Sequence, residues 1–314
     1  MADETSDAAP QAGWSSRSIG RNWQHQFFYR LIRLGGRPTA YAALRAVALV
    51  YVLRRKYRER CTPYLERRFP GTGPRARFVH SYRMVVALGE ALIDRAATGI
   101  LGPSEFQVRF DESDELLDLL GQGRGLILMI AHVDCWQAAM SALENLPAQV
   151  SMLMRREDGD LDRHYFEHKG QTCPYRVIDP EGFLGGTLEM LGVLKAGQIV
   201  SVMGDRLLGS ASQAVSVPFL GGAIRVPFSA YLLASATGAP VVILLSAKTG
   251  RSSYRLRLYR AISVPPGLPK KPQAYADYAG EFATCLEHYV GEYPYQFFNF
   301  YDLWSQPDHS RRAQ

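Results

Sequence analysis

A histidine at the end of an apolar strand is placed to act as a general base, and His132 stands at such a point. It follows the unbroken run Gly125-Leu-Ile-Leu-Met-Ile-Ala131. In open α/β sheets ligands bind beyond the strand ends, where loops project from the packed layers. An imidazole there can take a proton from an attacking hydroxyl or amine at neutral pH. The residues just after it, Asp134-Cys-Trp-Gln137, read as a capping box, with Asp at the N-cap and Gln at N3. Other chemistries lack their residues. The sequence contains no G-x-S-x-G elbow, which argues against an α/β-hydrolase serine. Gly121-Gln-Gly-Arg-Gly125 precedes its strand instead of following it, so it is no dinucleotide fingerprint. His164 and His168 lie four apart without the glutamate of H-E-x-x-H and read as a surface pair, not a zinc site. The four cysteines (Cys61, Cys135, Cys173, Cys285) form no C-x-x-C pair. That spacing points to a reduced compartment and away from a cysteine-bound metal. No metal or other cofactor is expected.

A strand that ends at His132 needs a sheet around it. Short apolar runs predict strands at Leu126–Ile130, Val150–Met154, Arg176–Ile178, Ile199–Met203 and Val241–Leu245. Helical patterns fall between them, around 135–145, 160–169, 183–195 and 227–236. That alternation predicts an α/β fold with a mainly parallel central sheet flanked by helices. Tyr254-Arg-Leu-Arg-Leu-Tyr-Arg260 alternates with period two and predicts a half-exposed strand, followed by a last helix over roughly 275–290. Residues 14–100 read as helical throughout, with the breaker-rich Phe69-Pro-Gly-Thr-Gly-Pro74 ahead of a helix from Phe78 to Ala97. Residues 1–13 are small, polar and acidic and read as a disordered leader. The expected organisation is therefore a leader (1–13), an N-terminal helical region (14–100), an α/β domain (101–304) and a short tail (305–314).

The formal charge of +6 and pI near 9.1 suit an anionic partner: nucleic acid, phospholipid or an acidic carrier protein. The distribution favours the membrane. From Trp14 to Arg58 there are ten Arg or Lys residues and no Asp or Glu. Phe27, Leu31 and Leu34 recur there at helical spacing, flanked by Arg30, Arg33 and Arg37. Such a basic amphipathic helix suits the surface of an anionic bilayer. Tyr41 to Leu53 is mostly apolar but contains Arg45, and it is shorter than the roughly 20 residues that span a bilayer. It reads as a monotopic insertion or as a buried helical layer. Nothing in it marks a signal peptide, because no A-x-A-like site follows.

Several motifs carry a family resemblance. Ala131-His-Val-Asp-Cys-Trp-Gln137 resembles the H-x4-D/E block of the lysophospholipid acyltransferase superfamily. Gly204-Asp-Arg206, Val215-Ser-Val-Pro-Phe-Leu-Gly-Gly222, Val226-Pro-Phe228 and Ala236-Thr-Gly-Ala-Pro-Val-Val242 follow in order. That succession is similar to the late acyltransferases of bacterial lipid A synthesis, the lauroyl and myristoyl transferases. Tyr293-Pro-Tyr-Gln-Phe-Phe-Asn-Phe-Tyr-Asp-Leu-Trp304 resembles the terminal signature of that branch, without its Arg-Arg-Trp ending. The likeness runs from about residue 20 to 304, and its specificity lies in the ordered set.

The resemblance implies acyl transfer from an acyl thioester, on acyl carrier protein or coenzyme A, to a membrane lipid or an amine. The reaction would take place on the cytoplasmic face of the inner membrane, with the protein peripheral or monotopic and nucleic acid excluded as a partner. His132 would deprotonate the acceptor. Arg155, or Arg156 in its place, would hold the developing oxyanion or a substrate phosphate, and Asp205 and Arg206 would lie near the acceptor head group. A guanidinium offers a fixed fork of charged donors for such tasks. Without the family, the arginine pair reads as a solvated loop, and Asp205-Arg206 as a helix cap with a surface ion pair. The block departs from its pattern at Gln137, where the family has Asp or Glu. A glutamine carbonyl can fix the imidazole tautomer but adds no charge, and Asp134 is the carboxylate that could take over. The departure leaves two alternative readings: a non-catalytic relative that binds lipid or acyl chains, and an acyl-thioester hydrolase.

Overall fold

The computed structural model describes residues 22–135, 143, 146–155, 175–207 and 213–305. Helices α1 (Asn22–Leu53), α2 (Arg55–Arg68) and α3 (Pro74–Leu101) come first, then β1 (Gln107–Phe110), α4 (Ser113–Gly121), β2 (Leu126–Ile130), β3 (Val150–Leu153) and β4 (Arg176–Ile178). After these come α5 (Thr187–Lys195), β5 (Ile199–Met203), β6 (Ala214–Phe219), β7 (Gly222–Pro227), α6 (Ser229–Thr237), β8 (Val241–Lys248), β9 (Ser253–Ile262) and α7 (Ala276–Glu292).

One sheet takes the order β1-β9-β8-β2-β5-β3-β4. Strands β8, β2, β5, β3 and β4 run parallel, while β9 is antiparallel to β8 and carries β1 parallel to itself. The unbroken apolar sequence of β2 follows from its central place, because both of its faces are covered. Ile127 and Met129 join a core with Val193 and Leu194 of α5, Leu233 of α6 and Leu286 of α7. Leu126, Leu128 and Ile130 face a second core with Leu116 and Leu120 of α4. Strand β9 alternates buried and part-exposed residues, as its period-two sequence requires. The mostly parallel sheet flanked by helices is thus the expected α/β architecture. Three features had no counterpart in the sequence reading: the short β1, helix α4 and the antiparallel β6–β7 hairpin. The helix expected from 183 begins at Thr187 instead, because Leu184, Gly185 and Gly186 all take positive φ.

The amphipathic stretch and the apolar run form one helix, α1, broken at Gly36 (φ 66°) just ahead of Pro38. Proline cannot donate to the preceding turn, and glycine adopts the left-handed backbone that the break needs. Thr39 Oγ1 donates to the Gly36 and Leu31 carbonyls at 2.9 and 3.1 Å, answering two of the acceptors the break frees. Past the break, Tyr41, Leu44, Ala48 and Val52 are buried at helical spacing while Leu49, Val50 and Leu53 stay exposed. Among the described residues no helix is long and apolar enough to cross a membrane.

Arg37 does not flank a surface stripe as its neighbours in sequence suggested. It is buried, with NH1 3.5 Å from Asp94 Oδ1 and its ring-side face 4.3 Å from the Phe106 centroid. Asp94 of α3 is fully buried and gathers charge from three elements. Lys248 Nζ, at the end of β8, stands 2.8 Å from its Oδ2, and the hydroxyls of Tyr41 and Tyr254 donate to it. A carboxylate taken out of water is tolerated only with such partners. Their positions therefore fix α1 and α3 against the ends of β8 and β9. Replacing Asp94 with Ala removes the buried anion that the two cations share, leaving Lys248 with Glu90 alone and Arg37 with Glu105 alone. Urea unfolding should show a loss of about 3–5 kcal/mol. A loss below about 1 kcal/mol would mean that the hub does not hold the helices.

Candidate active site

Strands β2 and β5 are parallel neighbours, with Ile130 opposite Met203. His132 and Asp205 each come two residues later, so equal extension beyond one register pair sets their side chains together. Gly204 N–H donates to the Ile130 carbonyl at 2.8 Å and carries the pairing past the strand ends. A Cβ at Gly204 would stand 2.8 Å from both Met129 Cγ and Phe282 Cζ. A larger residue there would force Met129 and Phe282 to move, so glycine suits the close approach that delivers Asp205.

His132 Nδ1 is 2.9 Å from Asp205 Oδ1 and 3.1 Å from Oδ2. The carboxylate is 3% exposed and the histidine side chain 24%. The Nδ1 edge of the ring is therefore held from the interior, while part of the side chain reaches solvent. A carboxylate only accepts, so in the neutral imidazole the proton sits on Nδ1 and Nε2 is the basic nitrogen. Burial by itself raises the Asp205 pKa, but the charge and hydrogen bonds of His132, with Arg206 nearby, outweigh it and hold the carboxyl below its ordinary value. The group is an anion at neutral pH.

Arg206 stands behind this pair, its Nε 3.8 Å from Asp205 Oδ2. It donates from NH2 to the Phe298 carbonyl at 2.7 Å and lies 5.6 Å from the Tyr301 ring centroid. Asp205 and Arg206 are both buried. They support the histidine and the C-terminal segment, and do not project outward as a head-group site would. That segment straps the histidine loop: Val133 bridges Phe297, Phe298 N–H donates to the His132 carbonyl at 2.8 Å, and Asp134 N–H donates to the Gln296 carbonyl at 2.9 Å. The Gln296 amide exchanges two 2.9 Å bonds with the Lys248 backbone, so the strap is tied to β8 as well. Sequence reasoning quoted this segment as a signature without assigning it the task of fixing His132.

Asp134 takes a left-handed backbone (φ 42°) and is buried, and its Oδ2 has no hydrogen-bond partner among the described residues. The charges that act on it are Lys248, Asp94 and Glu90. It belongs to the hub under the helices, while the imidazole is served by Asp205. Arg155 follows β3, two strands from β2, hence about 10 Å across the same strand ends. Its NH2 is 2.8 Å from Glu181 Oε1, and both side chains are at least half exposed. Such a surface pair is weak and exchangeable. Gln137 and Arg156 lie outside the described residues, and so does the proposed capping box beyond Cys135.

A family model described as bacterial lipid A biosynthesis acyltransferase matches residues 12–306. Among solved structures, the chain is similar to the 1-acyl-sn-glycerophosphate (LPA) acyltransferase PlsC from Thermotoga maritima. The two share 12% identity over 81% of this chain and 98% of that one, with a TM-score of 0.37. That overlap is too loose to bear on activity. No curated protein sequence matches.

The geometry around Asp134 generates a stability prediction. Burial pushes its pKa up to about 8, with Asp94 and Glu90 adding to the effect and the Cys135 N–H and Lys248 opposing it. In the unfolded chain the group titrates near 4. The folded state therefore keeps a proton that the unfolded chain releases. The associated stability is complete below about pH 4 and is lost as the pH rises to about 8. Asn, which tolerates the left-handed backbone, removes this dependence. Asp134→Asn should gain on the wild type by about a few kcal/mol between pH 4 and 8. Unfolding curves that stay parallel across that range would refute the assignment.

Proposed function

The chain belongs to the bacterial lipid A biosynthesis acyltransferase family and is an acyltransferase, and on that premise we propose that His132 is its general base and Asp205 the carboxylate that orients it. The 2.9 Å contact between His132 Nδ1 and Asp205 Oδ1 carries this reading. With Nδ1 occupied, Nε2 takes the proton of an acceptor hydroxyl or amine as that group attacks the carbonyl carbon of an acyl thioester. The imidazolium so formed is stabilised by the buried Asp205 anion. When the tetrahedral intermediate collapses, the carbon–sulfur bond breaks and the proton passes from Nε2 to the departing thiolate. Asp205 thus supplies the charge that Gln137 cannot. Arg155, loosely held by Glu181 at the same strand ends, is the group that meets the oxyanion or a substrate phosphate.

The donor in this proposal is a fatty acyl group on acyl carrier protein, whose acidity as a class matches the basic surplus of the chain. The acceptor is a membrane lipid bearing a hydroxyl or amine. Support for a membrane surface comes from α1, where Trp23 is 63% and Leu34 88% exposed. Phe27, Leu49, Val50 and Leu53 are exposed on the same helix, with Arg30 and Arg33 exposed among them and Arg54 exposed just past its end. Apolar side chains interleaved with cations suit a helix lying in the interface of an anionic bilayer, here the cytoplasmic face of the inner membrane.

Purified protein supplied with acyl carrier thioester and lipid vesicles should yield a new acylated lipid. Free fatty acid alone would assign hydrolysis, and no turnover would assign binding only. His132→Ala should lower the rate by about 10²–10⁴-fold while its circular dichroism stays unchanged. Full activity in that variant would rule out His132 as the base.

A further inference from the structure

A cavity of about 480 Å³ lies where the turn after α7 meets α1 and α3. That volume is within the range of small-ligand sites. Its walls carry Arg45 and Arg83, Glu90 and Glu292, and the rings of Tyr293 and Tyr295. The reaction proposed above uses none of these side chains.

The lining is balanced in charge. Arg45 and Arg83 make no ion pair among the described residues, and the only polar side-chain contact of Arg83 is 3.4 Å to the Tyr295 hydroxyl. Glu90 meets Lys248 at 3.1 Å, and Glu292 meets Arg257 at 3.7 Å. Each contact occupies one carboxylate oxygen, and an ionised carboxylate has about four acceptor positions. A simple anion would answer the guanidinium pair but leave the open acceptor positions of the two carboxylates unused, and a simple cation would do the reverse. A ligand with both charges satisfies both pairs. Guanidinium forks match phosphate oxygens, and an ammonium is attracted to carboxylates and to tyrosine faces.

We propose that this cavity, lined by Arg45, Arg83, Glu90, Glu292, Tyr293 and Tyr295, binds a phosphodiester that carries a primary amine, the chemistry of an ethanolamine headgroup. The phosphate lies at the two arginines, Arg83 already standing over the Tyr295 ring, and the ammonium lies at the two carboxylates beside Tyr293. Arg45 stands on α1 among the exposed Leu49 and Val50 of its outer face, so the site opens beside the surface that would meet a bilayer. Gln296 also lines the cavity, and its carbonyl accepts from Asp134 N–H. The bound headgroup would therefore sit next to the strap that holds the His132 loop. This assignment does not depend on the acyl-transfer reading.

Calorimetric titration of the full chain tests it without an activity readout. Glycerophosphoethanolamine should bind, and glycerophosphoglycerol, the same phosphodiester without the amine, should bind at least tenfold more weakly. Arg83→Gln should weaken glycerophosphoethanolamine at least tenfold. Arg45→Gln, at an exposed position, should do the same if the first variant fails to fold. Glu292→Gln should narrow the preference for the amine. Dihexanoylphosphatidylethanolamine, kept below its micelle concentration, identifies the source. Tighter binding than the headgroup alone assigns the site to a lipid, and equal binding assigns it to a soluble headgroup compound. Equal affinity for the two glycerophosphodiesters, or wild-type affinity in both arginine variants, would overturn the proposal.

Discussion

The carboxylate of Asp205 lies in the interior of the protein, and an interior anion imposes conditions on everything near it. It needs a counter-charge and donors, because an unpaired buried charge costs several kcal/mol. His132 and Arg206 meet that need, and each is held in turn by backbone from another part of the chain. Arg206 binds the Phe298 carbonyl, and the same segment pairs with the residues on either side of His132. The geometry of the imidazole is thus the joint product of two parallel strand ends and one C-terminal strap. An imidazole fixed in this way keeps its tautomer and direction, and that constancy is what the general-base role proposed for it requires.

A second interior anion, Asp94 of α3, does for the helices what Asp205 does for the histidine. Its partners come from α1, β8 and β9, so the helical layer is positioned by charge as well as by apolar packing. The two systems meet at Lys248. Its ammonium pairs with Asp94 and Glu90, and its backbone exchanges hydrogen bonds with Gln296 of the strap. The helices whose outer face suits a bilayer are therefore coupled to the segment that frames the His132 loop.

Much of this was legible in the sequence, because apolar runs bounded by glycine and charge define interior strands. Leu126–Ile130 and Ile199–Met203 have the expected bounds. Their adjacency was not legible, since strand order depends on how the helices pack, and only adjacency turns two residues 73 positions apart into a pair. The signal was nonetheless present: His132 and Asp205 each stand two residues past a strand end. Gln137 drew attention as a missing carboxylate while Asp205, the carboxylate that meets His132, lay just past the neighbouring strand. The β6–β7 hairpin escaped notice because its turn begins with Leu220, whose positive φ (46°) is uncommon for a leucine. Arg37 was counted with the surface cations because nothing local distinguishes it from Arg30 and Arg33. Its partner Asp94 is 57 residues away, and no spacing rule reaches that far.

The central claim is that a carboxylate on β5 completes the base on β2. The pH dependence of turnover in Asp205→Asn tests it most directly. Asparagine can still accept from Nδ1–H but cannot stabilise the imidazolium, so kcat should fall by about 10²-fold or more at neutral pH with KM for the acyl donor little changed. The shape of the pH–rate profile should shift as well, a change that mere loss of stability would not produce. A folded Asp205→Asn protein with the wild-type kcat and profile would contradict the account.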